Sequence, residues 1–393
     1  MSIYNIVAST DEATVVAEYA AEYNVRPEKY QSEAELEREF IRQLTSQGYE
    51  YISVHNEAAL IANLRKQLEL LNDFTFTDSE WDRFFTECIA NTNEGIVEKT
   101  RKIQDDHIQI LKREDGTTKN IYLLDKKNIH NNRLQVINQY EEAGGKHKTR
   151  YDVTILVNGL PLVHVELKRR GVEIREAFNQ INRYQCDSFW ASSGLFEYVQ
   201  IFVISNGTHT KYYSNTTRNA HIREQNASER KRSKRTSNSF EFTSYWADAN
   251  NKIIPDLMDF TRTFFAKHTL LNILIKYCVF TTEELLLVMR PYQIAATERI
   301  LSRIVISTNY KKMGTTDAGG YIWHTTGSGK TLTSFKTAQL ASALPYIDKV
   351  LFVVDRKDLD YQTMKEYDRF EKGAANGNTS TRILQRQLED RDE

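Results

Sequence analysis

The sequence predicts an α/β protein in two parts, a mixed sheet flanked by helices followed by a smaller, incomplete α/β unit. Three observations predict it. Two β-rich runs, 151–157 and 162–168, flank an Asn158-Gly159 turn and read as a hairpin. Several runs around them carry apolar residues at helical spacing. Much later, a β-run at 321–324, a glycine-rich turn and a helical stretch at 332–344 open a second unit. At 393 residues the chain is long for one core, and 40% hydrophobic with 27% charged residues is a globular balance. The boundaries expected are 1–250 for the first domain, 251–285 for a helical bridge and 286–393 for the second.

Residues 1–30 mix short apolar runs with polar turns and specify little. From Ser32 the pattern sharpens. Ser32-Glu-Ala-Glu35 is a capping box, and Leu36, Phe40, Ile41 and Leu44 follow at helical spacing before Gln47-Gly48. Leu60, Ile61, Leu64, Leu68 and Leu71 predict a second helix over 57–72, and Thr77-Asp-Ser-Glu80 caps a third. Runs at 119–124 and 134–140 read as strands leading into the hairpin. Residues 144–150 form a basic loop beside Asp152. After the hairpin, Ile174, Ala177, Phe178, Ile181 and Tyr184 predict a helix over 173–188, and strands follow at 199–205 and 210–214. Apolar content then collapses over 218–239, where Arg230, Lys231, Arg232, Lys234 and Arg235 suit sequence-independent attraction to phosphates. A solvated loop is the plainer reading of that stretch. Residues 254–280 read as one long apolar helical run.

The chemistry centres on the hairpin. Asp152 opens the first strand, while Glu166 and Lys168 lie two apart, on one face, at the end of the second. Two carboxylates and a lysine suit metal-dependent phosphodiester cleavage. Asp152 and Glu166 would hold Mg²⁺ through hard oxygen ligands, and Lys168 would steady the attacking water. Register decides whether they meet. A plain two-residue loop pairs 157 with 160 and 152 with 165, which turns Asp152 and Glu166 to opposite faces. One extra residue pairs 152 with 166. Pro161, which donates nothing to the ladder, favours such an irregularity, so a bulge or odd loop is expected. Gln180 and Tyr184, four apart on the next helix, reach one site together.

At these residues the chain resembles a known family. Asp152, Glu166-x-Lys168 and Gln180-x-x-x-Tyr184 are similar to the RecB-like branch of the PD-(D/E)xK nucleases. Val157-Asn-Gly-Leu-Pro-Leu-Val-His-Val-Glu-Leu-Lys168 resembles more specifically the nuclease domain of the restriction (R) subunit, HsdR, of type I restriction enzymes. Tyr151 stands where the family name has proline. The resemblance implies an acidic ligand on an early helix, for which Glu37 is the best match, against the plainer reading of a solvated glutamate.

The second unit carries Thr325-Thr-Gly-Ser-Gly-Lys-Thr331 between the β-run and the helix. Backbone N–H groups of Thr326, Gly327, Ser328 and Gly329 would cradle phosphates, Lys330 would reach the β- and γ-oxygens, and Thr331 would take the Mg²⁺ of ATP. His324 stands where the strict pattern has glycine. The loop resembles that of superfamily II helicases, which implies an incomplete RecA-like domain. Arg290-Pro-Tyr-Gln293 resembles the helicase glutamine motif, with Gln293 reading adenine. The near-continuous apolar run 349–355 reads as a buried parallel strand, and the helicase resemblance implies that Arg356, just after it, contacts nucleic-acid backbone. No apolar strand ending in Asp-Glu follows, and no second RecA-like domain with an arginine finger. The expectation is an R subunit truncated before the Walker B strand, with ATP hydrolysis and translocation absent from the fragment alone.

A net charge of −1 confines any nucleic-acid contact to local basic patches. Cys88, Cys186 and Cys278 are far apart and build neither a disulfide framework nor a thiolate metal site. No signal peptide or membrane-length apolar run is present, and a cytoplasmic location is expected. The resemblance implies double-stranded DNA as substrate and the modification (M) and specificity (S) subunits as partners. Two other readings stay open here: a DNA-repair nuclease-helicase of the RecB type, and a DNA-binding or assembly module with inert nuclease residues.

Overall fold

Strand β5 (Thr149–Val157) and strand β6 (Leu160–Leu167) are buried along nearly their whole length, as their apolar runs demand, and sit at the centre of the main sheet. The computed structural model describes residues 31–142, 144, 149–215, 239–354, 357–375, 377 and 380–389. Arg230, Lys231, Arg232, Lys234, Arg235, Arg356 and most of the basic loop beside Asp152 lie outside the described residues.

The strands β1 (Glu50–Tyr51), β4 (Leu134–Glu142), β7 (Ile201–Ser205) and β8 (Thr210–Ser214) complete a six-stranded sheet in the order β1-β4-β5-β6-β7-β8. β1 runs parallel to β4 and β6 parallel to β7; the other neighbours are antiparallel. The parallel β6–β7 pair needs a crossover, and helix α5 (Ile174–Asp187) supplies it. A separate hairpin is made by β2 (Ile108–Lys112) and β3 (Thr118–Tyr122).

Helix α1 (Glu33–Ser46) begins at the expected capping box: the Glu35 N–H donates to Ser32 Oγ at 3.3 Å and the Ser32 N–H to Glu35 Oε2 at 2.9 Å. Its stripe Leu36, Phe40 and Leu44 is buried. Helix α2 (Glu57–Asn72) buries Leu60, Leu64 and Leu68, and α3 (Asp78–Phe84) starts at the Thr77 cap. Helix α4 (Ile96–Gln104) follows before β2. These side chains, the inner residues of the sheet and Leu257 to Ile294 share one continuous core.

The hairpin carries both a two-residue turn and a bulge. Val157 pairs with Leu160 across Asn158-Gly159, whose φ angles of 50° and 84° are the positive pair such a turn requires. The Asn158 side chain ties the turn down, accepting from the Arg133 N–H at 2.9 Å and donating to the Leu123 carbonyl at 3.1 Å. Pairing then slips: Leu156 faces Pro161 but Ile155 faces Val163, so Leu162 is the extra residue. Its carbonyl accepts from the Gln200 N–H at 2.8 Å, so the residue dropped from one ladder is held by the next segment.

Three expectations are corrected. The run 254–280 is two short helices, Leu257–Thr263 and Lys267–Ile275, followed by a strand, Cys278–Phe280, paired with Leu286–Val288. The break lies at Phe264–Ala266, where the Phe265 carbonyl leaves the helical ladder to accept from Tyr49 Oη at 2.8 Å. Neither 321–324 nor 349–354 is a strand, and both runs are exposed: Tyr321 89%, Trp323 88%, Val353 85%. A parallel strand exists only between neighbours and under covering helices, and no described residue pairs with either run. The helical stretch expected at 332–344 does form, as Lys330–Ser342, and two helices the sequence reading did not name, Pro291–Asn309 and Lys357–Phe370, flank it, with a small core of Val279, Phe335, Tyr367 and Phe370. No described helix is long and apolar enough to cross a membrane.

Gly159 is the residue where the turn tolerates least. Its φ is +84°, and a Cβ there would meet Leu64 Cα at 2.7 Å. Gly159→Ala is expected to cost about 1–3 kcal/mol, read as a lowered urea midpoint; an unchanged midpoint would show that the turn and α2 are not in this contact.

Candidate functional site

The slip at Leu162 sets the register Val153↔Val165, which puts Asp152 opposite Glu166 at the end of the ladder. Asp152 Oδ2 accepts from the Leu167 N–H at 2.9 Å, and Lys168 Nζ donates to Glu166 Oε1 at 3.0 Å and to the Leu167 carbonyl at 2.9 Å. The three side chains singled out from the sequence therefore meet. Glu166 is fully buried, and its Oε2 has no hydrogen-bond partner. Burial pushes its carboxyl up to about 7, although Lys168 pulls the other way. Burial, then the charge of Glu166, also raises Asp152 well above the usual carboxylate range. Burial alone would depress the Lys168 ammonium, but the two carboxylates more than offset it and hold it high.

Helix α5 braces the strand that carries Asp152. Tyr184 Oη donates to the Arg150 carbonyl at 3.0 Å and itself accepts from Gln180 Nε2. That tether sits two residues before Asp152. Helix α1 brings two acids near the strand ends. Glu37 accepts from Asn138 Nδ2 at 2.6 Å and from Gln139 Nε2, while Glu33, one turn earlier, is the α1 acid 3.7 Å from Lys168 Nζ. Burial raises Glu37, opposed by those two amides. Gln139, level with Asp152 in the β4–β5 register, has a φ of +51° and drops out of the pairing.

Sequence reasoning passed over Glu33, His164 and Thr154. His164 is fully buried two residues before Glu166, with Nε2 3.5 Å from Glu166 Oε2 and Nδ1 3.1 Å from Thr154 Oγ1. The period-2 spacing His164-x-Glu166-x-Lys168 was the available sign.

The chemistry of the donors selects a metal class. Among the described residues no group of three or more His, Cys, Asp or Glu side chains is arranged so as to hold a metal ion by itself. Two carboxylates without a thiolate or imidazole cage fit Mg²⁺, which keeps several waters and takes one or two carboxylates. The orphaned Oε2 of Glu166 is the atom such an ion would satisfy.

The glycine turn lies at the start of helix Lys330–Ser342, with Gly327 and Gly329 both at φ 77°. Thr326, Gly327 and Lys330 are exposed, and Lys330 Nζ rests 3.5 Å from the Thr325 carbonyl. Gln293 is used at both ends. It accepts from the Arg290 N–H at 2.8 Å and donates to the Ser328 carbonyl at 3.1 Å, so it latches the loop in this structure instead of presenting a free amide. Tyr292 Oη adds a bond to the same carbonyl at 2.9 Å, and its ring meets His324 edge-on at 5.5 Å. The non-glycine residue of the turn thus has a packing partner.

Comparison with known proteins places the chain in a family. Residues 30–221 match the model of the type I restriction enzyme R protein N terminus, and residues 292–393 that of the SWI2/SNF2 ATPases. The type I restriction enzyme EcoprrI endonuclease subunit of Escherichia coli is 52% identical over 299 residues, 76% of this chain and 90% of the relative. The chain belongs to the type I restriction enzyme R-protein family. The SsaAORF53P endonuclease subunit of Staphylococcus saprophyticus is 40% identical over 368 residues, which are 92% of this chain but 36% of the relative. A putative type I endonuclease subunit of Methanocaldococcus jannaschii is 28% identical over 268 residues, 22% of its length. This R-family chain thus spans about a third of the staphylococcal subunit and has the family's two parts, an endonuclease-subunit N terminus and part of a helicase-like ATPase.

A pH dependence follows from the buried carboxyls. Glu166 titrates near 7 folded and ~4.3 unfolded, so its protonated form stabilises the fold below that window and the contribution is lost as pH rises through 7. Burial lowers His164 to about 4, which works in the opposite sense but is spent by about pH 6.5. In metal-free buffer the Tm of the chain is expected to fall between pH ~6.5 and ~7.5, after the opposing His164 contribution has ended and while Glu166 loses its proton, and Glu166→Gln to remove most of that fall. A flat wild-type profile would contradict it.

Proposed function

We propose that this chain is the endonuclease and motor subunit of a type I restriction-modification complex, cleaving phosphodiester bonds of double-stranded DNA with Mg²⁺ at Asp152, Glu166 and Lys168. The observation that carries the reading is the bulge at Leu162, which brings an acid, an acid and a lysine to one point. A RecB-like PD-(D/E)xK domain is the fold this arrangement supports, followed by an incomplete RecA-like domain.

In this reading Asp152 and Glu166 would hold the metal, which when bound would lower the pKa of its water and neutralise charge developing at phosphorus. Lys168, held charged by both carboxylates, steadies the attacking water and the phosphoryl oxygens. Tyr184, through the Arg150 carbonyl, fixes the strand start, and Gln180 orients Tyr184. Glu33 and Glu37 are outer acids of the site. Lys330 and Thr331 bind the phosphates and Mg²⁺ of ATP. The M and S subunits are the partners, and the cytoplasm is the compartment.

The test is cleavage of closed circular DNA by the restriction complex containing this chain, with Mg²⁺ and ATP. Asp152→Ala is expected to lower cleavage by at least about 10²–10³-fold while assembly with the partner subunits persists. Cleavage at the wild-type rate would remove Asp152 from the site, and cutting confined to linear DNA would point to an end-dependent repair nuclease. Independently, Lys330→Ala is expected to abolish binding of a fluorescent ATP analogue and leave Mn²⁺ binding intact; undiminished nucleotide binding would discount the loop.

A further inference from the structure

We propose that His164 is a positioning residue, donating Nε2–H toward Glu166 Oε2 so that this carboxylate is aimed at the metal. The inference rests on the reading of Asp152 and Glu166 as metal ligands and adds a residue behind them.

The bulge that aligns Asp152 with Glu166 also aligns Thr154 with His164, one step further from the strand end. Thr154, His164 and Glu166 therefore form a row: Thr154 Oγ1 to His164 Nδ1 is 3.1 Å, and His164 Nε2 to Glu166 Oε2 is 3.5 Å. An ionised carboxylate only accepts, so the imidazole that faces it carries its proton on Nε2. Nδ1 is then the acceptor, and the Thr154 hydroxyl donates to it. The hydroxyl thereby selects the tautomer, as outer hydrogen bonds commonly do for histidines in metal sites.

The ring has no freedom to do otherwise. Tyr151, Tyr184, Phe189 and Phe202 all meet it edge-on, with interplanar angles of 73°, 75°, 82° and 79°. A histidine that merely filled this aromatic box would be better replaced by phenylalanine, since a buried polar atom without a partner costs about 1–3 kcal/mol. Here two such atoms exist, His164 Nε2 and Glu166 Oε2, and they face each other. At 3.5 Å the contact is too long to consume Oε2, which leaves the oxygen available to a cation on its other side while Nε2–H limits its rotation.

The experiment titrates the full chain with Mn²⁺, followed by electron paramagnetic resonance, alongside Tm in chelator. Glu166→Ala is expected to abolish binding. His164→Phe, which keeps the ring and removes the donor, is expected to weaken Mn²⁺ affinity about 10–100-fold. His164→Gln, which restores an N–H at similar reach, is expected to return it near the wild-type value. Wild-type affinity in His164→Phe, or equal loss in the Phe and Gln variants, overturns the inference while Glu166→Ala still upholds the site. No Mn²⁺ binding by the wild type removes both. Should His164→Phe fail to fold, Thr154→Val decides: several-fold weaker binding upholds the row, and unchanged binding overturns it.

Discussion

One residue out of step, Leu162, is the constraint on which the site depends. Without it β5 and β6 would pair as an ordinary hairpin, and Asp152 and Glu166 would point to opposite faces. With it two carboxyls and one ammonium share a volume largely closed to water. Burial favours neutral carboxyls, while Lys168 favours an ionised Glu166, and the balance leaves Glu166 close to neutrality of pH.

The two parts of the chain are built to different degrees of self-sufficiency. The first has a six-stranded sheet covered by helices and one continuous core. The second has its helices, its phosphate-type loop and the latch from Gln293 and Tyr292, but its apolar runs at 321–324 and 349–354 lie open. Local forces suffice for the former features. Glycine conformations, a helix start and a glutamine three residues into its helix are all settled within a few residues of themselves, whereas a central strand is settled by its neighbours.

That division also explains what could be read from the sequence. The caps at Ser32 and Thr77, the helix over 57–72 and the strands around 134–142 and 210–214 follow from side-chain periodicity and capping chemistry, and the structure has them. The bulge was legible because the chemistry demanded a register that the Asn158-Gly159 turn alone would not give. Runs 321–324 and 349–354 misled because apolar content reports an appetite for burial and not its fulfilment. The break at Phe264–Ala266 has no composition mark; it arises where the Phe265 carbonyl turns to Tyr49, a residue remote in sequence. His164 escaped notice because an imidazole inside an apolar run reads as filler, and only its placement against Thr154 and Glu166 gives it a role. Glu33 was passed over for Glu37, one turn along the same helix face, and spacing alone does not choose between such neighbours.

Leu162 carries an implication for how such a gene can vary. Its carbonyl is held by Gln200, so the bulge is pinned to one codon and cannot drift along the strand. Point changes along β6 can therefore be graded, each altering a volume or a charge. Loss or gain of a single codon between Leu160 and Val163 is of another kind, since it inverts every side chain downstream to Leu167 at once. Drift in this stretch is expected to proceed through substitutions, with reading-length changes eliminated.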